Sequence, residues 1–127
     1  MITDRKTVIF ALGTNVDSDR NMARMQQLLR DAFPDIRFTV SLQTEAIGIV
    51  APPFLNCLAA ASSASGYESI HRRVKLIEAA MDPDNSRRKA GRVVCDIDIL
   101  YCAGMRYHLS DWQRPYVVEL LRLLPMP

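Results

Sequence analysis

Two carboxylates, Asp96 and Asp98, sit inside an otherwise apolar run, Val93-Val94-Cys95-Asp96-Ile97-Asp98-Ile99-Leu100-Tyr101. The run is rich in β-branched residues and lacks Gly and Pro, which predicts a strand. Side chains alternate across a strand, so Asp96 and Asp98 share one face while Cys95, Ile97 and Ile99 point to the other. Like charges this close repel, and apolar strands normally exclude them. A cation between them removes the conflict. Hard carboxylate oxygens suit Mg²⁺, and Mg²⁺ usually brings substrate phosphates with it. The competing reading is an edge strand with an acidic solvent face, and for an isolated Asp-x-Asp that reading ranks first.

The residues just upstream change the odds. Arg87, Arg88, Lys89 and Arg92 place four cations between Ser86 and Arg92, on a loop that runs straight into the two-aspartate strand. Alone, such a run is a solvated loop. Beside an acidic metal pair it can supply the charges that hold and neutralise a polyphosphate. A third candidate lies in Phe54-Leu55-Asn56-Cys57-Leu58-Ala59-Ala60-Ala61, an apolar strand interrupted by Asn56. A carboxamide there must find hydrogen-bond partners. It either bonds a neighbouring loop, the blander reading and the one ranked first, or reads the edge of a flat heterocycle with Phe54 as the stacking surface.

The elements that must position these residues follow from local pattern. Lys6–Leu12 reads as a buried strand and Gly13-Thr14-Asn15 as a simple turn, since neither GxxxxGK[ST] nor GxGxxG is present. Asp17 or Ser18 caps a helix to about Phe33, with Met22, Met25, Leu29, Ala32 and Phe33 as its apolar stripe, stopped by Pro34. Ile36–Leu42 alternates as a half-buried strand, and Gln43 to Pro53 reads as an irregular loop. Ser65-Gly66-Tyr67-Glu68 matches a capping box, opening a helix that buries Ile70, Val74, Ile77 and Met81 and leaves His71, Arg72, Arg73 and Lys75 solvated. A last helix runs from Pro115 to about Leu124, with Val117, Val118, Leu120, Leu121, Leu123 and Leu124 as a broad apolar face for the sheet. The order is β-α-β-β-α-β plus a terminal helix. That predicts an α+β, ferredoxin-like sandwich with an antiparallel sheet. Such a fold hosts many functions and decides none.

Composition narrows the class. With 127 residues, 49% of them hydrophobic, the chain can bury one core, so residues 1–127 are read as a single domain. The formal net charge of +2 gives no global attraction to nucleic acid or membrane, and any anion site must be local. No signal-peptide layout or membrane-length apolar run is present, which leads us to expect a cytoplasmic chain. Cys57, Cys95 and Cys102 are odd in number, have no CxxC spacing and read as buried thiols.

Taken together, these segments resemble the 6-hydroxymethyl-7,8-dihydropterin pyrophosphokinase family. The likeness runs from about Val8 to Leu124. Gly13-Thr14-Asn15 is similar to the family's Gly-Ser-Asn, Thr44-Glu45-Ala46-Ile47-Gly48 and then Phe54-Leu55-Asn56 to its Thr-x-Pro-x-Gly and aromatic-Leu-Asn, and Ile77-Glu78 to the end of its second helix. Asp96-Ile97-Asp98-Ile99-Leu100 is similar to its Asp-x-Asp-Ile-Leu strand, and His108 precedes Arg114-Pro115-Tyr116-Val117 at the family spacing. The resemblance implies transfer of pyrophosphate from ATP to the hydroxymethyl oxygen of a reduced pterin in folate biosynthesis. Asp96 and Asp98 would hold two Mg²⁺ ions with ATP. Thr44, Ile47, Phe54, Asn56 and Tyr116 would bind the pterin, His108 and Arg114 the nucleotide, and Arg87, Arg88, Lys89 and Arg92 would close over the phosphates.

The chain departs from the family pattern in places. Arg92 lies four residues before Asp96 instead of three, for which a bulge would compensate. Asp82-Pro83 replaces a Gly-Arg, and Tyr107-His108-Leu109 replaces a Pro-His-Pro. Two other classes compete: a catalytically weak relative that binds pterin, nucleotide or a partner protein as a regulator, and a metal-dependent nuclease using the same aspartates. Near-neutral charge and few clustered aromatics argue against the nuclease. Oligomeric state is not readable from the chain.

Overall fold

The computed structural model describes residues 4–46, 48, 50–84, 88 and 90–126. In chain order the elements are β1 (Lys6–Thr14), α1 (Ser18–Ala32), β2 (Arg37–Phe38), β3 (Leu42–Thr44), β4 (Phe54–Ser63), α2 (Tyr67–Met81), β5 (Asp96–Cys102), β6 (Met105–Arg106), a 3₁₀ helix (Leu109–Gln113) and α3 (Pro115–Leu123). The antiparallel sheet runs β2-β4-β1-β5-β6, and β3 also pairs with β4. This is the α+β ferredoxin-like arrangement with a C-terminal helix, extended at one edge by the short β5–β6 hairpin.

The sheet separates two apolar clusters. On one face Val8, Phe10 and Leu12 of β1, Cys57, Ala59 and Ala61 of β4, and Ile97 and Ile99 of β5 meet Met22, Met25 and Leu29 of α1 and Ile70, Val74 and Ile77 of α2. Phe10 tilts against Phe33 with ring centroids 5.2 Å apart. On the other face Ile9, Leu58 and Leu100 pack under Val117 and Leu120 of α3. All three cysteines are buried and free. Burial pushes the Cys57 thiol up to about 11 and the Cys95 thiol to about 12, so neither is a nucleophile at neutral pH. Among the described residues no helix is long and apolar enough to cross a membrane.

Several expected boundaries shift, each for a hydrogen-bonding reason. Gly13 and Thr14 belong to β1, because Gly13 pairs with Asn56 on one side and Asp96 on the other. β5 begins at Asp96, not Val93: the Val93 carbonyl and N–H are taken by Asn15, at 2.9 and 2.6 Å. Leu100 and Tyr101 both join the α3 cluster. The cause is a break of register opposite Ile9 and Phe10, where Leu100 is the extra residue. This bulge lies at the far end of β5 from Arg92, so it does not alter that residue's reach; residues 92–95 simply precede the strand as a loop.

The expected strand Ile36–Leu42 is two strands. β2 and β3 pair with β4 in registers one residue apart, and the Thr39 hydroxyl accepts the Leu58 N–H at 3.0 Å where the ladder is interrupted. Gln43 and Thr44 are accordingly strand and not loop. α2 starts at Tyr67 with Gly66 as N-cap and no side-chain cap bond, so the capping box does not form. Asp17 sits at the N-cap of α1 at φ 40, also without a side-chain cap bond. Not all of the α2 cations are merely solvated: Arg73 donates to the Ala32 carbonyl at 3.0 Å, tying α2 to α1. In α3 only Val117 and Leu120 are fully covered, while Val118 and Leu123 are exposed. A nine-residue helix lying flat presents one stripe to the sheet, not two.

Candidate functional site

Pairing across three adjacent strands builds the floor of the site. Gly13 stands opposite Asn56 and Asp96, and Ala11 opposite Leu58 and Asp98, so all of these face the same side of the sheet. β1 contributes only small residues there. A Cβ on Gly13 would meet Asn56 Oδ1 at 3.2 Å and Phe54 Cδ1 at 3.7 Å, closer than the carboxamide tolerates without moving. Because α3 covers only the Ile9–Leu58–Leu100 end, the Gly13 end stays open as a cavity of about 310 Å³. Its walls come from Thr44 and Glu45 after β3, Phe54 and Asn56 of β4, Asp96 and Asp98 of β5, and Asp111, Arg114 and Tyr116 near α3.

One end of the cavity is built around a carboxamide and an aromatic ring, with Glu45 next to Thr44 in its wall. Asn56 is only 6% exposed, and its Nδ2 donates to Thr44 Oγ1 at 2.7 Å and to the Leu42 and Phe54 carbonyls at 3.5 Å. These bonds fix the carboxamide with its oxygen toward Gly13. Phe54 lies beside Asn56 at this end, while Tyr116 lines the cavity near the carboxylates, where burial raises its phenol against the opposing pull of Arg114. A flat ring with donors and acceptors on its edge suits this end.

The other end is acidic. Burial raises the Asp96 carboxyl, with the Arg88 guanidinium 3.5 Å from Oδ1 pulling it down. Asp98 is pushed up to about 6, first by burial and then by the charge of Asp96, with His108 opposing. His108 Nε2 lies 3.7 Å from Asp98 Oδ1. Arg114 Nε donates to Asp111 Oδ1 at 2.9 Å. Two partly buried carboxylates on one strand face are an incompletely neutralised negative site, and their oxygens match the donor preference of Mg²⁺.

Thr44, Phe54 and Asn56 are therefore gathered at one end, and Asp96, Asp98, Arg114 and Tyr116 with the adjacent His108 and Arg88 at the other. Arg88 is anchored to the strand entry, its Nη2 donating to the Cys95 carbonyl at 2.9 Å. Arg92 is exposed and is not among the cavity-lining residues. Arg87, Lys89 and Ile47 lie outside the described residues.

Three side chains matter more than the sequence reading allowed. Asn15, buried in what read as a turn, donates to the Pro52 and Gly91 carbonyls at 3.2 and 2.7 Å and accepts the Val93 N–H, clasping the two loops that flank the cavity. Nothing in its own neighbourhood announces this. In the sequence Glu78 stands out only through the family resemblance of Ile77-Glu78. Its Oε2 accepts the Ile97 N–H at 2.9 Å, between the two aspartates, and its Oε1 meets Lys75 at 3.0 Å. Asp111 carried one legible signal, its i,i+3 spacing to Arg114.

In comparison with known families, the model described as 7,8-dihydro-6-hydroxymethylpterin-pyrophosphokinase (HPPK) matches residues 9–125. A comparison with curated proteins returned no match. Enzymes of that family are ATP-dependent pyrophosphokinases of folate biosynthesis, which use ATP with Mg²⁺.

Proposed function

We propose that the chain, which belongs to the 7,8-dihydro-6-hydroxymethylpterin-pyrophosphokinase family, transfers pyrophosphate from ATP to the hydroxymethyl group of 6-hydroxymethyl-7,8-dihydropterin as one cytoplasmic domain spanning residues 1–127. One observation supports this beyond membership: the Asn56 end and the acidic Asp96–Asp98 end open into one cavity, so a heterocycle and a metal-bound polyphosphate can lie side by side.

Asn56 hydrogen-bonds the pterin edge, and its bond to Thr44 holds the carboxamide in the required orientation before the substrate arrives. Phe54 and Tyr116 border the ring, and Ile47 is proposed as a further pterin-binding residue. The hydroxymethyl oxygen is thereby directed at the β-phosphorus of ATP. A bond forms between that oxygen and phosphorus, the bond from the β-phosphorus to the α,β-bridging oxygen breaks, AMP leaves, and the hydroxyl proton passes to solvent. Asp96 and Asp98 would hold two Mg²⁺ ions, whose role when bound is to neutralise charge on the phosphate oxygens. Arg88, already 3.5 Å from Asp96, is proposed to contact a phosphate, and the same role is proposed for Arg87, Lys89 and Arg92 of the same chain segment. His108 and Arg114 contact the nucleotide. Positioning and charge account for the rate, with little need for a general base.

The test is AMP formation from ATP, Mg²⁺ and the reduced pterin, with Asp96→Ala and Asp98→Ala as controls. Each substitution is expected to lower turnover by two orders of magnitude or more, equivalent to about 3 kcal/mol. Folded protein that makes no pterin-dependent AMP would overturn the enzyme reading, and binding without turnover would favour the regulator instead.

A further inference from the structure

We propose that Asp98, His108 and Asp111 form a binding site for a divalent transition-metal ion of the manganese, cobalt and zinc class, which the protein takes up without nucleotide. One ligand atom from each of the three residues lies within 4.8 Å of the other two. The set is one imidazole nitrogen and two carboxylate oxygens from three separate places: the middle of β5, the residue before the 3₁₀ helix, and the first turn of that helix.

Backbone and side-chain bonds fix the two loop ligands against the strand. The Tyr107 N–H donates to the Leu100 carbonyl at 2.9 Å, which pins the loop to β5. Trp112 Nε1 donates back to the Tyr107 carbonyl at 3.0 Å, and the Arg106 guanidinium lies over the Trp112 ring at 4.4 Å. The Asp111 N–H bonds the His108 carbonyl at 2.9 Å, setting those two residues one turn apart. Arg114 then donates to Asp111 Oδ1, which holds the carboxylate in place. A ligating carboxylate supported in this way is the usual arrangement around a protein-bound metal.

Charge and ligand chemistry narrow the occupant. Glu45, Asp96, Asp98 and Asp111 line the cavity, with Arg114 as the one cation among its lining residues. Mg²⁺ prefers an all-oxygen shell, whereas an imidazole nitrogen raises affinity along the series from manganese through cobalt to zinc. The pyrophosphokinase reading uses Asp98 together with Asp96; here its partners are His108, whose Nε2 lies 3.7 Å from Asp98 Oδ1, and Asp111, and Asp96 is not among the ligands. The inference stands on the loop geometry and needs neither ATP nor pterin.

The experiment is a cobalt titration of the metal-free full chain without nucleotide, followed by the visible absorption of bound Co²⁺ and by calorimetry. The wild-type protein is expected to bind one ion per chain. His108→Gln and Asp111→Asn should each weaken binding by roughly tenfold or more, the scale on which metal sites respond to loss of a supporting group. Asp96→Asn removes a neighbouring charge but no ligand of this ion, and should weaken binding less than either loop variant. Thermal melts of each variant separate ligand loss from unfolding. Three results would overturn the proposal: no cobalt band with the wild type, unchanged affinity in both loop variants, or equal loss in Asp96→Asn. Because no turnover is read, an inactive pyrophosphokinase would leave a positive result intact.

Discussion

The two faces of the sheet are made from the same three strands and have opposite characters. Val8, Phe10, Leu12, Ile97 and Ile99 face α1 and α2, two helices of fifteen residues each, and the space between is filled. Ala11, Gly13, Asn56, Asp96 and Asp98 alternate with them and face a nine-residue helix that covers only part of their side. The difference shows how a strand serves two purposes at once. Every second residue contributes burial, and the stability so gained allows the residues between to be polar, small or like-charged.

Substitutions should affect the two faces in different ways. The largest change in stability is expected from Phe10→Ala, which empties a fully buried ring position on the packed face and should cost about 3–5 kcal/mol in chemical denaturation. A cost under about 1 kcal/mol would mean that this face is not the main source of stability. Asn15→Ala acts at the boundary between the faces. It leaves the Val93 N–H and the Gly91 carbonyl without their partner, an expected loss of about 1–3 kcal/mol, and the Val93 amide should exchange at least roughly tenfold faster while the Phe10 amide does not.

The smallest effect is tied to pH and belongs to the open face. In the metal-free protein Asp98 is raised from its ordinary 3.8 to about 6. Its favourable contribution is therefore complete below 3.8 and is lost as pH rises through about 6. Asp98→Asn removes that loss. The variant should melt above the wild type at pH 7, and the gap should close as pH falls below 5, roughly the lower half of the titration. A gap independent of pH would place the strain elsewhere.

Much of this was legible in the chain. The helical stripes of α1 and α2 needed only 3.6-residue periodicity, and the shared face of Asp96 and Asp98 needed only the two-residue alternation of a strand. Asn56 was identifiable as an anomaly, a carboxamide in an apolar strand. The order of segments was enough to give the ferredoxin-like topology. Boundaries were harder, because Gly13 and Thr14 look like a turn until strands on both sides claim their backbone, and Val93 looks like strand until Asn15 claims its own.

What the sequence determined by itself is therefore local: which residues share a helix stripe or strand face, and that two carboxylates and a carboxamide stand where apolar residues are expected. Covalent geometry fixes these relations within a few residues. The tertiary structure alone decided that Gly13 lies between Asn56 and Asp96, that Asn15 clasps loops 37 and 78 residues away, and that Asp111 comes within ligand distance of Asp98. Those relations depend on strand register and loop closure, where one residue of slip turns a side chain to the other face. Asp96 and Asp98 bear this out: alternation put them on one face, and the short α3 left that face open.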